Sequence, residues 1–282
     1  MTGSTRIIDH AGLSFHTESF GDPADPAVLM IMGATASMLW WPDEFCRMLA
    51  SSGRLVIRYD NRDTGRTSTG EPGEPGYTID DMADDALAIL DGYGLAGAHL
   101  VGMSLGGMIA QLVALKEPGR VKSLTLIATS AFDEDDPELP PMDPALLEHF
   151  GKMADLDWSE REAVVAFQTQ SFRISAGSHA AFDEARARDL AEREFDRALN
   201  PQSAMNHAML GGGEAFAGRL GEIAAPALVI HGRHDPILSF EHGRKLAEKL
   251  PRSKMVALDA GHELNQGDWD RIVEAICRHT AG

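Results

Sequence analysis

One stretch constrains this chain more than any other: Ala98-His99-Leu100-Val101-Gly102-Met103-Ser104-Leu105-Gly106-Gly107-Met108. An apolar run ends in Gly-x-Ser-x-Gly, and apolar residues at helical spacing follow from 105 to about 115. The pattern predicts a strand, a very tight turn and a helix. Glycine is needed at 102 and 106 because the backbone reverses there with no room for side chains, and the apex residue is held in a strained conformation. The strain lifts the Ser104 hydroxyl above the sheet. It then sits at the N-terminus of the next helix, where free N–H groups and the positive dipole end stabilise developing negative charge. The plainer alternative is a glycine-rich turn with an incidental serine, so the rest of the chain has to decide.

Around this turn, strand and helix patterns alternate. Residues 5–9 and 13–20 read as an antiparallel start, 27–32 as a strand buried on both faces, 42–51 as a helix and 54–60 as the next strand. A polar loop follows, then an acidic amphipathic helix over 78–93 that opens at a Thr cap, the 98–108 stretch itself, and a strand over 121–128. Alternation resumes with strands at 227–231 and 254–259 and helices at 240–250 and 264–279. Such a pattern implies right-handed crossovers and a mostly parallel, doubly wound α/β sheet covered on both faces.

Between them the alternation stops. The segments 144–154, 159–172, 180–199 and 202–210 all have helical periodicity, with prolines 137, 140, 141 and 144 at the entrance and Gly211-Gly212-Gly213 at the exit. The expected organisation is one α/β core, 1–132 and 219–282, interrupted by a helical lid at 133–218. This lid carries much of the net charge of −18, with 17 Asp and Glu against 7 Lys and Arg between 133 and 197. A solvated helical face accounts for that; a field drawing in a cationic substrate is the functional alternative. A chain this acidic repels phosphate backbones, which excludes nucleic acid as a partner.

No basic start with an apolar run opens the chain, and no apolar stretch is long enough to span a bilayer, so a cytoplasmic location away from membranes is expected. Cys46 and Cys277 lie far apart in amphipathic helical patterns and read as free thiols. No Cys/His cluster has metal-ligand spacing, so neither metal nor cofactor is expected, and the protein is expected to be a monomer or a small homo-oligomer.

Two loops turn the tight turn into chemistry. His231-Gly232-Arg233-His234-Asp235-Pro236 follows one predicted strand and Ala260-Gly261-His262-Glu263 follows the next. A serine hydroxyl needs a base to become a nucleophile at neutral pH, and the imidazole needs an acid to fix its tautomer. In a doubly wound sheet the carboxyl ends of the strands open on one crevice. Ser104, Asp235 and His262 each follow a strand at that edge and are therefore the candidate catalytic residues. Asp259 is close to His262 but lies within or at the very end of a strand and reads as structural, and Asp133 is the acid of a variant layout. His231 and His234 are expected to be structural.

With these residues in place, the chain resembles the α/β-hydrolase superfamily from about residue 6 to 279. The likeness rests on Gly102-Met103-Ser104-Leu105-Gly106, the Asp235 loop, Ala260-Gly261-His262 and Arg58-Tyr59-Asp60-Asn61-Arg62-Asp63-Thr64-Gly65. Within the superfamily it looks most like the aclacinomycin methylesterase type and the related macrolide esterases, through Phe20-Gly21-Asp22-Pro23-Ala24-Asp25-Pro26, Trp41-Pro42-Asp43-Glu44-Phe45 and Arg62-Asp63-Thr64-Gly65-Arg66. The resemblance implies an α/β-hydrolase fold, a serine esterase mechanism and backbone oxyanion donors at Ala34 and Leu105. The chain departs from the superfamily in two places. Met32-Gly33-Ala34 stands where many members have His-Gly, and Asp63 replaces the glycine of Asp-x-Arg-Gly.

The resemblance further implies a small-molecule ester or lactone substrate, bulky and apolar, of macrolide or anthracycline-like polyketide type. Met38, Trp40, Met103, Trp158 and His207 are the candidate substrate-binding residues. Trp41, Met142, Met153, Phe167, Met205 and Met209 are further apolar candidates for a wide pocket, with core packing as the alternative for each. Serine at 104 excludes the Asp nucleophile of dehalogenases and epoxide hydrolases. A general small-ester carboxylesterase, a thioesterase, a carbon–carbon bond hydrolase and a ligand receptor of the same fold remain alternative readings.

Overall fold

In a computed structural model that describes residues 3–177 and 182–281, β1 (Ser4–His10) and β2 (Leu13–Phe20) pair antiparallel and form one edge of the sheet. The chain continues through β3 (Ala27–Ile31), α1 (Asp43–Ser51), β4 (Leu55–Tyr59), α2 (Ile79–Gly92), β5 (Ala98–Met103), α3 (Leu105–Lys116) and β6 (Val121–Ile127). Then come α4 (Pro144–Gly151), α5 (Arg161–Ser175) and α6 (Glu184–Arg197), with no strand among the described residues until β7 (Ala227–Gly232). Finally α7 (Phe240–Lys249), β8 (Ser253–Leu258) and α8 (Trp269–His279) close the chain. The eight strands lie in the order β1-β2-β4-β3-β5-β6-β7-β8, parallel from β4 to β8.

Strands β3, β4, β5 and β7 are buried along their whole length, and alternate residues feed two cores. Leu29, Ile31, Ile57 and Leu100 pack with α2, α3 and α7 on one face, while Val28, Met30, Val56 and Val101 pack with α1 and α8 on the other. Each such side chain taken from water stabilises the fold by about 1.5–3 kcal/mol before entropy is counted. The sheet is therefore a rigid base whose carboxyl edge carries the loops after β3, β4, β5, β7 and β8.

Local chemistry sets the helix ends. Thr78 closes a capping box at α2, its hydroxyl accepting from the Asp81 N–H while the Asp81 carboxylate accepts from the Thr78 N–H at 2.7 Å. The 202–210 segment differs from expectation: Pro201–Met209 forms 3₁₀ turns rather than α-helix. A three-residue repeat stacks Ser203 on Asn206 and Ala204 on His207. These polar groups bond to loops of the core: Ser203 to the Gly70 carbonyl, Asn206 to Asp63 and His207 to the Arg62 carbonyl. The last helix begins at Trp269 rather than 264, after a 3₁₀ turn, Gln266–Asp268, capped by the Asn265 side chain. Residues 180 and 181, the start of the expected 180–199 helix, lie outside the described residues.

The carboxyl edge is also where α6 grips the core. Arg197 lies 2.7 Å from Asp60, a pair with side chains 10% and 0% exposed. Asp60 further accepts from the Met38 and Arg66 N–H groups. Removing the guanidinium by Arg197→Ala leaves a buried carboxylate without its cation, a loss of about 3–5 kcal/mol of stability that the denaturant midpoint measures. Cys46, buried in α1, and Cys277, partly buried in α8, are free thiols. Among the described residues no helix is long and apolar enough to cross a membrane, and no cluster of three His, Cys, Asp or Glu could hold a metal ion.

Candidate active site

Ser104 stands at the turn between β5 and α3 with φ 51° and ψ −123°, outside the regions that L-residues favour. A Cβ at Gly102 would come within 2.2 Å of the Gly106 carbonyl oxygen, and one at Gly106 within 2.1 Å of the Ile31 oxygen. Both positions are therefore confined to glycine by backbone contact. The strain at the apex, of order 1–3 kcal/mol, is held by the Ser104 N–H bond to the Ile127 carbonyl and by the Thr129 hydroxyl, which donates to the Ser104 carbonyl.

The loops after β7 and β8 bring a second pair together. His262 Nδ1–H donates to Asp235 Oδ2 at 2.7 Å, with both residues buried. Asp235 Oδ1 accepts from the N–H groups of Ile237 and Leu238, each at 2.9 Å. Burial alone would raise this carboxyl, but the His262 charge and hydrogen bonds from His231 and His262 outweigh it and hold Asp235 well below the usual carboxylate range. His231, expected to be structural, in fact stands against the acid. Its Nε2 donates to the Leu238 carbonyl at 2.7 Å and lies 3.3 Å from Asp235 Oδ2. The competing acids are occupied elsewhere: Asp259 pairs with His234 at 2.7 Å, and Asp133 accepts from the Gly218 N–H.

Ser104 and His262 line the same chamber, a cavity of about 330 Å³ whose walls are otherwise mainly apolar. Ala34, from the turn after β3, lines it too. A side chain at Gly33 would reach 3.1 Å from the Ser104 Cβ, so the Met32-Gly33-Ala34 turn lies directly against the serine. Leu105 is the first residue of α3, where a helix has no internal acceptor for the N–H. Trp40, Met103 and Trp158 line the chamber, as do Met142, Met153, Phe167 and Met205.

Other expected contacts are not formed. Met38 is fully buried and donates its N–H to Asp60, Trp41 is buried against Phe45, and Met209 is 57% exposed; none lines the chamber. His207 is also absent from its walls. It is buried, its Nε2 donates to the Arg62 carbonyl at 2.9 Å and its Nδ1 accepts from the Thr35 N–H at 3.0 Å. Burial lowers its pKa, which keeps the ring neutral and Nδ1 free to accept. His207 thus ties the turn at Thr35 to the loop at Arg62. His207→Ala should lower kcat about fivefold with little change in KM, because the turn loses one hydrogen bond of ~1 kcal/mol; steady-state kinetics on one ester measures both.

The loop carrying the altered glycine is held by the replacement itself. Asp63 has φ 65°, the left-handed conformation that favours glycine, and its carboxylate accepts from the Gly70 N–H, the Tyr77 hydroxyl and the Asn206 amide. Two further groups escaped sequence reading. Glu194 of α6 accepts from the Ser37 N–H at 3.0 Å and the Ser37 hydroxyl at 2.7 Å, and burial pushes it up to about 7. Glu263, next to His262, lines the chamber.

Comparison with known proteins agrees with this fold. A family model for the alpha/beta hydrolase fold matches residues 26–265, and the chain belongs to that family. Among named relatives it stands with carboxylic ester hydrolases: it is 33% identical over 297 residues to rhodomycin D methylesterase of Streptomyces peucetius, covering 98% of each chain. In fold it is similar to the 2-hydroxy-6-oxo-6-phenylhexa-2,4-dienoate hydrolase of Rhodococcus sp. strain RHA1 (TM-score 0.80, 21% identity, 100% and 99% of the two chains). It is also similar to the enol-lactonase of Burkholderia xenovorans LB400 (TM-score 0.78, 20% identity, 98% and 100%).

Proposed function

We propose that the protein is a serine hydrolase that cleaves a carboxylic ester or lactone of a bulky apolar natural product, a macrolide or an anthracycline-like polyketide. The observation that carries this reading is the meeting of Ser104 and the buried His262–Asp235 pair on one mainly apolar chamber of about 330 Å³, a size suited to a multi-ring ligand. Full-length likeness to a rhodomycin D methylesterase supports the ester chemistry.

In the mechanism that follows, His262 takes the Ser104 proton as the hydroxyl oxygen attacks the ester carbonyl, and the Asp235 carboxylate stabilises the resulting imidazolium. The backbone N–H groups of Ala34 and Leu105 hold the tetrahedral oxyanion, each donor worth ~3 kcal/mol. His262 then protonates the leaving alcohol, and water hydrolyses the acyl-enzyme by the same route. Residues 133–218 act as a cap, and its Trp158 lines the chamber together with Trp40 and Met103 of the core.

Mass spectrometry of an anthracycline methyl ester and of large-ring macrolides after incubation with the protein tests the substrate. Replacement of the ester methoxy group by hydroxyl, with water consumed and methanol released, marks a methylesterase, and gain of one water on a macrolide marks lactone opening. If p-nitrophenyl acetate is cleaved and neither natural product changes, the substrate assignment is wrong.

A further inference from the structure

The chamber wall is apolar except for a few groups, and three of those hold buried polar atoms with nothing to bond to. Glu263 Oε1, Gln168 Oε1 and Trp40 Nε1 all lie out of contact with water and have no hydrogen-bond partner among the described residues. A buried unpaired polar atom costs about 1–3 kcal/mol, and all three belong to residues that line the one cavity. Glu263 is the most informative. It lines both the 330 Å³ chamber and a neighbouring cavity of about 260 Å³, and the two cavities share Trp40, Phe172, Met103 and His262 as a common wall.

Resting on the ester-hydrolase reading, we propose that Glu263 is a specificity-determining residue that stays a neutral carboxylic acid and donates a hydrogen bond to a carbonyl or ether oxygen on the substrate's ring system. No cation faces it closely. The other charged or titratable groups lining the two cavities are His262, which is bonded to Asp235, and Asp183 and Arg186. Asp183 caps α6, while Arg186 donates to Gln266 and lies over the Trp269 ring. Burial alone pushes Glu263 up to about 8, so at neutral pH its oxygen carries the proton. A substrate ammonium would have to leave water and also force that proton off, whereas an oxygen acceptor needs neither.

The test compares Glu263→Gln, which keeps a donor, with Glu263→Leu, which removes it, on the methyl ester of an anthracycline aglycone and on the oxygen-poor methyl 2-naphthoate. Glu263→Leu should raise KM for the aglycone ester about tenfold, far more than for the naphthoate, with kcat little changed. Glu263→Gln should restore KM to within about threefold of wild type. Wild-type KM for the aglycone ester should climb as pH rises past about 8, where the acid ionises and the donor is lost, and that limb should vanish in Glu263→Gln. Infrared difference spectra at neutral pH should show a protonated-carboxyl band that Glu263→Gln removes. Equal KM changes on both esters, Gln as damaging as Leu, or no band removed would each overturn the proposal. If wild type cleaves p-nitrophenyl acetate but neither of these esters, the substrate assignment fails; if it cleaves none of the three, the hydrolase reading fails. Tryptophan-fluorescence titration of the aglycone ester into Ser104→Ala, with and without Glu263→Leu, still decides the role of Glu263.

Discussion

Ser104→Ala is expected to lower kcat/KM on any ester that the protein turns over by about 10⁴-fold or more, while leaving KM and the unfolding midpoint close to wild type. The expectation follows from the division of labour at the carboxyl edge. In the proposed mechanism the Ala34 and Leu105 N–H groups belong to the backbone and survive the substitution, as does the chamber, so substrate would still bind and polarise. Only the attacking oxygen is lost. Alanine at 104 must still adopt the backbone strain at φ 51°, but the bond from the Ser104 N–H to Ile127 and the one accepted from Thr129 involve main-chain atoms and persist. A fall of less than about tenfold would mean that another group performs the attack.

Asp235→Asn should be almost as severe, about 10⁴-fold in kcat, for a reason fixed by its neighbours. The Ile237 and Leu238 N–H groups both point at Oδ1, so an asparagine there must keep its carbonyl oxygen on that side and turn its NH₂ toward His262. The imidazole then has to accept at Nδ1 and carry its proton at Nε2, which is the tautomer unable to take the Ser104 proton. His231, 3.3 Å from the same carboxylate and with its own Nε2 committed to the Leu238 carbonyl, cannot substitute. The pH profile separates this from simple loosening. A tautomer defect leaves a small rate that rises with hydroxide concentration, whereas a disordered loop also shifts the thermal midpoint.

The part of the molecule that could be read from sequence is the part set by local chemistry. Ser104, Asp235 and His262 each sit immediately after an apolar strand run, and strands of a parallel sheet deliver their carboxyl ends to one edge; the chain order alone predicts that they face a common crevice. The Thr78 cap was legible for the same reason, since donor and acceptor are three residues apart. His207 was not, because its partners, the Thr35 N–H and the Arg62 carbonyl, lie 172 and 145 residues away. A histidine beside methionines in a helical pattern reads as a pocket residue until the loops it braces are in place. Met38 failed likewise: it is apolar and close to Trp40 in sequence, yet the Asp60 carboxylate that takes its N–H pulls it inward.

The acidic segment between 133 and 197 divides in a way that composition hides. Glu162, Glu184 and Asp196 pair with Arg188, Arg173 and Arg161 on exposed surfaces, where solvent screening leaves little net stabilisation. Glu194 turns inward to hold Ser37 instead. Net charge cannot tell these apart, and neither can helical periodicity, because Glu194 lies on the buried stripe of α6 with Ala187 and Ala191. Glu263 is legible only as a neighbour of His262; that its Oε1 is buried without a partner shows only once the chain is folded.

The most direct test of the central claim is to trap the acyl-enzyme. Deacylation needs His262 and Asp235 as much as acylation does, so a rapid acid quench of the wild-type protein turning over p-nitrophenyl acetate, followed by peptide mass spectrometry, catches the intermediate during the burst. The account predicts one acetyl group on the peptide containing Ser104, at that residue, and none on the same peptide of Ser104→Ala. Hydrolysis that proceeds at full rate with no acetyl group on Ser104, or with the group on another residue that Ser104→Ala retains, would contradict it.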